Sequence, residues 1–199
     1  AHKYYVCSSD DWQEIDFVTF TTGKYCGAYS ADTLVYEGFV CEYNMGRYAW
    51  REATEEEKET GRTCRFQNAN TVVSGYACDY TTSYMWRKAS AEEKTTGVVC
   101  NRTIADSVLN GYACEYKMGE YQWRTASSGE SAAGRVCSAS MENRFSSKKD
   151  FVCQYDYSTG TYAWRSVDAA EKELGYLCLG DNVDELDSTK TYVCVKNTA

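Results

Sequence analysis

Residues 111–137 read GYACEYKMGEYQWRTASSGESAAGRVC, and their internal spacing recurs along the 199-residue chain. Trp123 is followed eleven residues later by Gly134, and three residues after that by Cys137. The same interval holds for Trp12, Gly23 and Cys26, for Trp50, Gly61 and Cys64, for Trp86, Gly97 and Cys100, and for Trp164, Gly175 and Cys178. A second set of cysteines has an aromatic residue two positions earlier: Tyr5 before Cys7, Phe39 before Cys41, Tyr76 before Cys78, Tyr112 before Cys114, Phe151 before Cys153 and Tyr192 before Cys194. A fixed internal period of this kind is the mark of a repeat architecture, in which one supersecondary unit is used several times.

Within the quoted stretch, Tyr112, Cys114 and Tyr116 alternate onto one face of a strand; Tyr121 and Trp123 share a face of the returning strand, with Arg124 opposite. The segment between the strands varies in length among EYNMGRYA, DYTTSYM, EYKMGEYQ and QYDYSTGTYA, which a hairpin tip tolerates. After each tryptophan, Thr54 with Glu57, Ser90 with Glu93, Ser127 with Glu130 and Asp168 with Glu171 fit a capping box. The invariant glycine fits the left-handed helix stop. The helix between them has about two turns, too short to stand without packing and a nearby crosslink. The first copy, QEIDFVTFTTG, lacks the acidic run, so its helix has little local support.

An apolar residue lies eight positions past each helix-end cysteine: Leu34, Val72, Val108, Phe145 and Leu186. A third strand there, antiparallel to the cysteine strand, makes each unit a meander plus a helix. The expected fold class is mainly β with short α-helices, a disulfide-stapled tandem array of small β-meander-plus-helix units. Complete units span 27–64, 65–100, 101–137 and 138–178; partial units span 1–26 and 179–199. A unit this small buries little surface alone, so it depends on stacking and crosslinks.

Eleven cysteines, widely spaced and without a CxxC pair, read as disulfides in a secreted or cell-surface protein rather than as a zinc site. Two pairings close loops of similar size. One runs across the connector, Cys26 with Cys41, Cys64 with Cys78, Cys100 with Cys114, Cys137 with Cys153 and Cys178 with Cys194, and leaves Cys7 unpaired or intermolecular. The other runs within hairpin and helix, Cys7 with Cys26 and so on, and leaves Cys194. The first is preferred because its shorter loop staples each helix end to the next cysteine strand. Either scheme contributes about 3 kcal/mol per bridge on the chain-entropy account.

The formal charge of -8 and the absence of any Lys/Arg run argue against nucleic acid or an anionic membrane as partner. No apolar stretch reaches the roughly 18 residues of a membrane span, and AHKYYVCSSDDW does not read as a signal peptide, so the chain is expected to be a mature or excised segment. With His2 the lone histidine, no Ser/His/Asp or Cys/His constellation can be assembled, and no catalytic residue, cofactor or metal is assigned. The carboxylates of EEEKE and AEEK read as a solvated helix face. The acidic run GDNVDELDS does not match an EF-hand loop. Asn101-Arg102-Thr103 is an N-glycosylation sequon and marks Asn101 as a candidate surface modification site. Trp at one fixed phase reads as packing. Eighteen tyrosines exceed what small cores hold, and Tyr43, Tyr80, Tyr116 and Tyr155 are the candidates for ligand or subunit contact. Arg51, Arg87, Arg124 and Arg165 are expected to stack on neighbouring tyrosines.

The pattern in GYACDYTTSYMWRKASAEEKTTGVVC and FVCQYDYSTGTYAWRSVDAAEKELGYLC resembles cysteine- and tryptophan-containing repeats of large secreted or surface proteins from Fibrobacter-like bacteria. The resemblance covers nearly the whole chain, most clearly residues 37 to 194, and the first copy departs from it at Gln13. It implies an accessory region outside any catalytic domain and names no activity. The sequence therefore leads to a non-catalytic structural or adhesive protein that associates with itself or with adjacent repeats; incomplete units at both ends would leave strand edges for head-to-tail joining into a fibre. A carbohydrate-binding module that uses exposed Tyr/Trp rings on a polysaccharide is the alternative, as is an accessory region of a polysaccharide-degrading protein.

Overall fold

A computed structural model describes residues 3–8, 11–29, 31, 35–179, 192 and 194. Two compact bodies result, residues 1–99 and residues 100–199. The first holds the hairpin β1 (Tyr4–Ser8) and β2 (Asp11–Ile15), helix α1 (Phe17–Thr22), a sheet of β3 (Val35–Tyr36), β4 (Phe39–Asn44) and β5 (Arg47–Glu52), helix α2 (Glu55–Thr60), a sheet of β6 (Val72–Val73), β7 (Tyr76–Tyr80) and β8 (Tyr84–Lys88), and helix α3 (Ala91–Thr96). The second holds the sheet of β9 (Val108–Leu109), β10 (Tyr112–Lys117) and β11 (Glu120–Thr125), helix α4 (Ser128–Ala133), the hairpin β12 (Phe151–Asp156) and β13 (Thr161–Ser166), and helix α5 (Ala169–Leu174). The chain is thus mainly β, with short helices and several small antiparallel sheets.

Turn chemistry fixes each register. Asn110 and Gly111 have φ of 48° and 83°, the two positive values a type I′ turn needs, and join β9 to β10. Ser74 and Gly75 (49° and 85°) join β6 to β7 in the same way. The long hairpins then align cysteine with tryptophan: Cys7 with Trp12, Cys41 with Trp50, Cys78 with Trp86, Cys114 with Trp123 and Cys153 with Trp164. Two rungs farther out, Tyr43 faces Tyr48, Tyr80 faces Tyr84, Tyr116 faces Tyr121 and Tyr155 faces Tyr162.

The sheet of β6, β7 and β8 has a small core on each face. Around β7, Cys64, Cys78 and Trp86 pack with Val73 on one face, while Ala77, Ala89 and Val99 pack with Val72 on the other. The largest fully buried side chains among the described residues are Val40 and Val152, followed by cysteines. Apolar burial of that size does not by itself offset the entropy of ordering the chain. Five disulfides supplement it: Cys26–Cys41, Cys64–Cys78, Cys100–Cys114, Cys137–Cys153 and Cys178–Cys194. All run across the connector.

The third strands are shorter than the spacing suggests. Val72 and Val108 start two-residue strands, whereas Phe145 makes a single bridge to Val152. The insertion SSKKD after Phe145 separates it from β12 and prevents a tight turn. Leu34 and Leu186 lie outside the described residues.

The first copy does form a helix, against its sequence reading. Asp16 caps α1 by accepting from Thr19 N and Thr19 Oγ1, both at 2.8 Å, and Gly23 closes it at φ 64°. A good cap and a left-handed stop, with packing beside β1, outweigh weak β-branched propensity in so short a helix.

Helix α4 carries a packing constraint absent from the sequence reading. A Cβ on Gly129 would lie 2.4 Å from Trp164 Cβ and 3.3 Å from Phe151 Cδ1. Trp164 Cβ is fixed to the backbone, so the following hairpin rests directly on the helix at this point. Gly129→Ala gains roughly 1 kcal/mol of helix propensity, but overpacking costs about 1–3 kcal/mol and more where backbone must shift. The expected net result is a destabilised chain with a lower guanidinium midpoint and an unchanged denaturant slope. A raised midpoint would show that helix and hairpin can separate freely.

Candidate functional site

Four of the five long hairpins, all but β1–β2, present two chemically different faces. On one, the arginine that follows tryptophan grips the third residue of the helix that follows the hairpin. Arg87 Nη1 and Nη2 donate to Glu93 Oε2 and Oε1 at 2.8 and 2.6 Å, and Arg87 Nε donates to Asp79 Oδ2 at 3.0 Å across the strand pair. Arg51 holds Glu57 at 2.7 and 2.7 Å, Arg124 holds Glu130 at 2.8 and 2.6 Å, and Arg165 holds Glu171 at 2.8 and 2.5 Å. The same carboxylates complete capping boxes, Ser90 N donating to Glu93 Oε2 at 2.8 Å.

These contacts correct two sequence readings. The arginines form bidentate ion pairs instead of stacking on tyrosine; the cation–π contact of the described residues is Lys24 over Tyr36. The carboxylate runs are not uniformly solvated, since Glu57, Glu93 and Glu130 are only 6–7% exposed. Burial pushes the Glu57 and Glu93 carboxyls up, but the guanidinium and the capping N–H outweigh it and leave both below the usual carboxylate range. For Glu130 the arginine contact is the leading influence, and the direction is again downward. In the first copy Gln13 stands where the others have arginine and Thr19 where they have glutamate, so both members of the pair are replaced together.

On the other face, the tyrosine pairs sit near the hairpin tips. Ring centroids are 4.9 Å apart for Tyr43–Tyr48, Tyr80–Tyr84 and Tyr116–Tyr121, and 5.1 Å for Tyr155–Tyr162. The outer ring of each pair is accessible: Tyr43, Tyr80 and Tyr116 are more than half exposed, and Tyr155 is 36% exposed. Met45 and Met118, in the turns beside two of these pairs, are almost wholly exposed. All four candidate tyrosines therefore occupy the same place on successive hairpins, each braced by a cross-strand ring.

The tryptophans divide. Trp86 is buried, Trp50, Trp123 and Trp164 are partly buried, and Trp12 is 68% exposed, so packing does not describe all five. Trp50 Nε1 donates to Thr19 Oγ1 at 3.1 Å, Trp86 Nε1 to the Arg62 carbonyl at 2.8 Å, and Trp164 Nε1 to the Arg135 carbonyl at 2.9 Å. The last two acceptors directly follow the glycine that stops the preceding helix. These three indoles thus tie their hairpins to the helix before them, a link that the constant Trp-to-Gly interval does not reveal.

No protein-family model matches the chain, and no curated protein or solved structure matches it either. Cys7 is an exposed free thiol opposite Trp12. Asn101 begins the 3-10 turn Arg102–Ile104, and its Oδ1 accepts from Thr103 N at 2.8 Å, so the sequon occupies a partly exposed turn. The acidic stretch 180–188 and His2 lie outside the described residues. Among the described residues no group of three His, Cys, Asp or Glu side chains converges as a metal site, and no helix is long and apolar enough to cross a membrane.

Proposed function

We propose that this chain is a non-catalytic, extracellular structural or adhesive protein, a tandem array with complete units at 27–64, 65–100, 101–137 and 138–178. The observation that carries the reading is the recurrence of one set of bonds: a cysteine-to-cysteine staple at each connector, an arginine–glutamate clamp in each unit, and an indole N–H that ties a hairpin to the preceding helix. Such an array resists unfolding because its small cores are covalently closed. Five disulfides suit an oxidising location such as the cell surface or the medium. The motif resemblance to surface-protein repeats agrees with it.

Self-association is the expected use of the exposed tyrosine and methionine tips and of Cys7. Electron microscopy of material from the native source is expected to show filaments or higher assemblies. A non-reducing gel is expected to show disulfide-linked species that Cys7→Ser removes. Monodisperse monomers in both measurements would overturn assembly.

Carbohydrate binding is the second reading, favoured by four similarly placed, braced and accessible tyrosine pairs whose ring faces suit the C–H faces of sugars. Pull-down on insoluble polysaccharides decides it: Tyr43→Ala, Tyr80→Ala, Tyr116→Ala and Tyr155→Ala together should abolish binding while leaving the thermal midpoint in place. An unchanged pull-down by this variant would count against the tyrosine faces as the ligand surface.

A further inference from the structure

The hairpin β1–β2 carries the residues of a joint that the other hairpins complete and it does not. At the position before the strand cysteine, Val40, Ala77, Ala113 and Val152 are fully buried, whereas Val6 is 38% exposed. On the opposite face of the strand, Cys41, Cys78, Cys114 and Cys153 are fully buried in disulfides, whereas Cys7 is an exposed free thiol and Trp12, its cross-strand neighbour, is 68% exposed. What closes this face elsewhere is one short segment, the end of the preceding helix. It supplies the second cysteine, and for Trp86 and Trp164 it also supplies a carbonyl from the residue after the stop glycine. Among the described residues no helix precedes β1.

The end of helix α5 is the converse. The helix-end cysteines Cys64, Cys100 and Cys137 are 6–7% exposed, whereas Cys178 is exposed, and so is Tyr176, the residue after the stop glycine Gly175. Cys178 is bonded to Cys194, and Tyr192-Val193-Cys194 repeats Tyr5-Val6-Cys7 residue for residue. The free thiol and the strand cysteine of the accessible bridge therefore sit in the same local sequence and suit the same partner.

We infer that β1–β2 of one copy docks on the α5 end of a second copy and takes over its Cys178 by thiol–disulfide exchange. The Cys7 thiolate attacks the Cys178 sulfur; the Cys7–Cys178 bond forms, the Cys178–Cys194 bond breaks, and Cys194 leaves as a thiolate that takes up the proton Cys7 gave to water. One disulfide replaces another, so the step needs no oxidant. Exposure directs it, because an accessible bridge is the one open to attack, and the other helix-end sulfurs of α2, α3 and α4 are buried. The incoming hairpin brings Trp12, whose indole N–H meets the Tyr176 carbonyl as Trp86 meets that of Arg62, and covering Trp12 and Val6 removes apolar surface from water. The joint uses two different surfaces of the chain, so it propagates head to tail instead of closing as a pair. It rests on the self-association proposed above and names the atoms that would make it covalent.

Unlabelled and ¹⁵N-labelled full chain, mixed in equal amounts at neutral pH without oxidant, then alkylated and digested without reduction, test it by mass spectrometry. A Cys7–Cys178 peptide pair joining light to heavy copies is expected, with alkylation moved from Cys7 to Cys194. Trp12→Ala should slow formation of that pair by about tenfold, because docking supplies the effective concentration, while Cys7 still reacts with a small disulfide reagent at the wild-type rate. Cys7–Cys7 or Cys7–Cys194 pairs in its place, pairs confined to one label, or an unchanged rate in Trp12→Ala would each overturn the exchange. Filaments in electron micrographs without the Cys7–Cys178 pair would overturn it and leave self-association standing; monomers in both measurements would overturn the two together. In native material, Cys7 bonded to a peptide outside this sequence would overturn the second copy as the occupant.

Discussion

Replacing Cys64 and Cys78 together by alanine is expected to lower the unfolding free energy of the first body by about 3 kcal/mol, the value for a loop near 15 residues. The two cysteines are 14 residues apart in sequence and are 7% and 0% exposed, beside Trp86. Alanine is the informative choice, because a serine hydroxyl at the Cys78 position would add the separate cost of a buried polar group. The surrounding cluster is too small to compensate: beyond the bridge it holds Trp86, with Val73, Tyr76 and Tyr84 partly buried against it. The loss should appear as a lower guanidinium midpoint, and Trp86 fluorescence should report it first. A midpoint that stays in place would mean that tryptophan packing and the Arg62 hydrogen bond hold the unit without the bridge. The same substitution should leave the signal of Trp164 unchanged in its early part, since that ring belongs to the second body and to a different bridge.

What the sequence disclosed follows from how local each determinant is. Capping boxes at Thr54, Ser90, Ser127 and Asp168 were readable because donor, acceptor and stop glycine lie within one short segment. That Tyr112, Cys114 and Tyr116 share a strand face was readable from alternation, whereas the Cys114-to-Trp123 register is set by the Met118-Gly119 turn, whose two positive φ values suit type I′ geometry. The arginine–glutamate clamp was not, although Arg87 and Glu93 are six residues apart. That interval spans a strand end, a cap and a helix start, so neither the two-residue nor the 3.6-residue period brings the side chains together. Gly129 was missed for a related reason. Glycine at an exposed helix position looks neutral until the following hairpin is placed on it, and that placement depends on tertiary structure. In the first copy, a cap at Asp16 was present in the sequence, but weak propensity hid it.

Arg87→Met is expected to destabilise the first body by about 2 kcal/mol at neutral pH, more than Glu93→Gln. Breaking a buried pair by removing one partner costs about 3–5 kcal/mol when both groups are buried, and the Arg87 side chain is 39% exposed, so solvent screening reduces that figure. Loss of the arginine leaves Glu93, 6% exposed, with only its capping contacts. Glu93→Gln keeps an oxygen for Ser90 N and leaves a guanidinium that water and Asp79 can still satisfy. The double substitution should therefore cost less than the sum of the single ones, as expected for groups in direct contact. The pH dependence carries the sharper test. Glu57, Glu93, Glu130 and Glu171 all have folded-state carboxyls held below the ordinary glutamate value of 4.5. Their contribution is complete above that value and is lost as pH falls through the lower folded values. In Arg87→Met the burial of Glu93, already its largest single influence, is opposed only by the Ser90 N–H, so the neutral acid is favoured and acidification at that site is stabilising. The difference between wild type and Arg87→Met should accordingly be largest above about pH 5 and shrink toward pH 3. Denaturant melts at a series of pH values measure it directly. A difference that stays constant across that range would show that Arg87 acts through packing of its alkyl stem and not through the charge of Glu93.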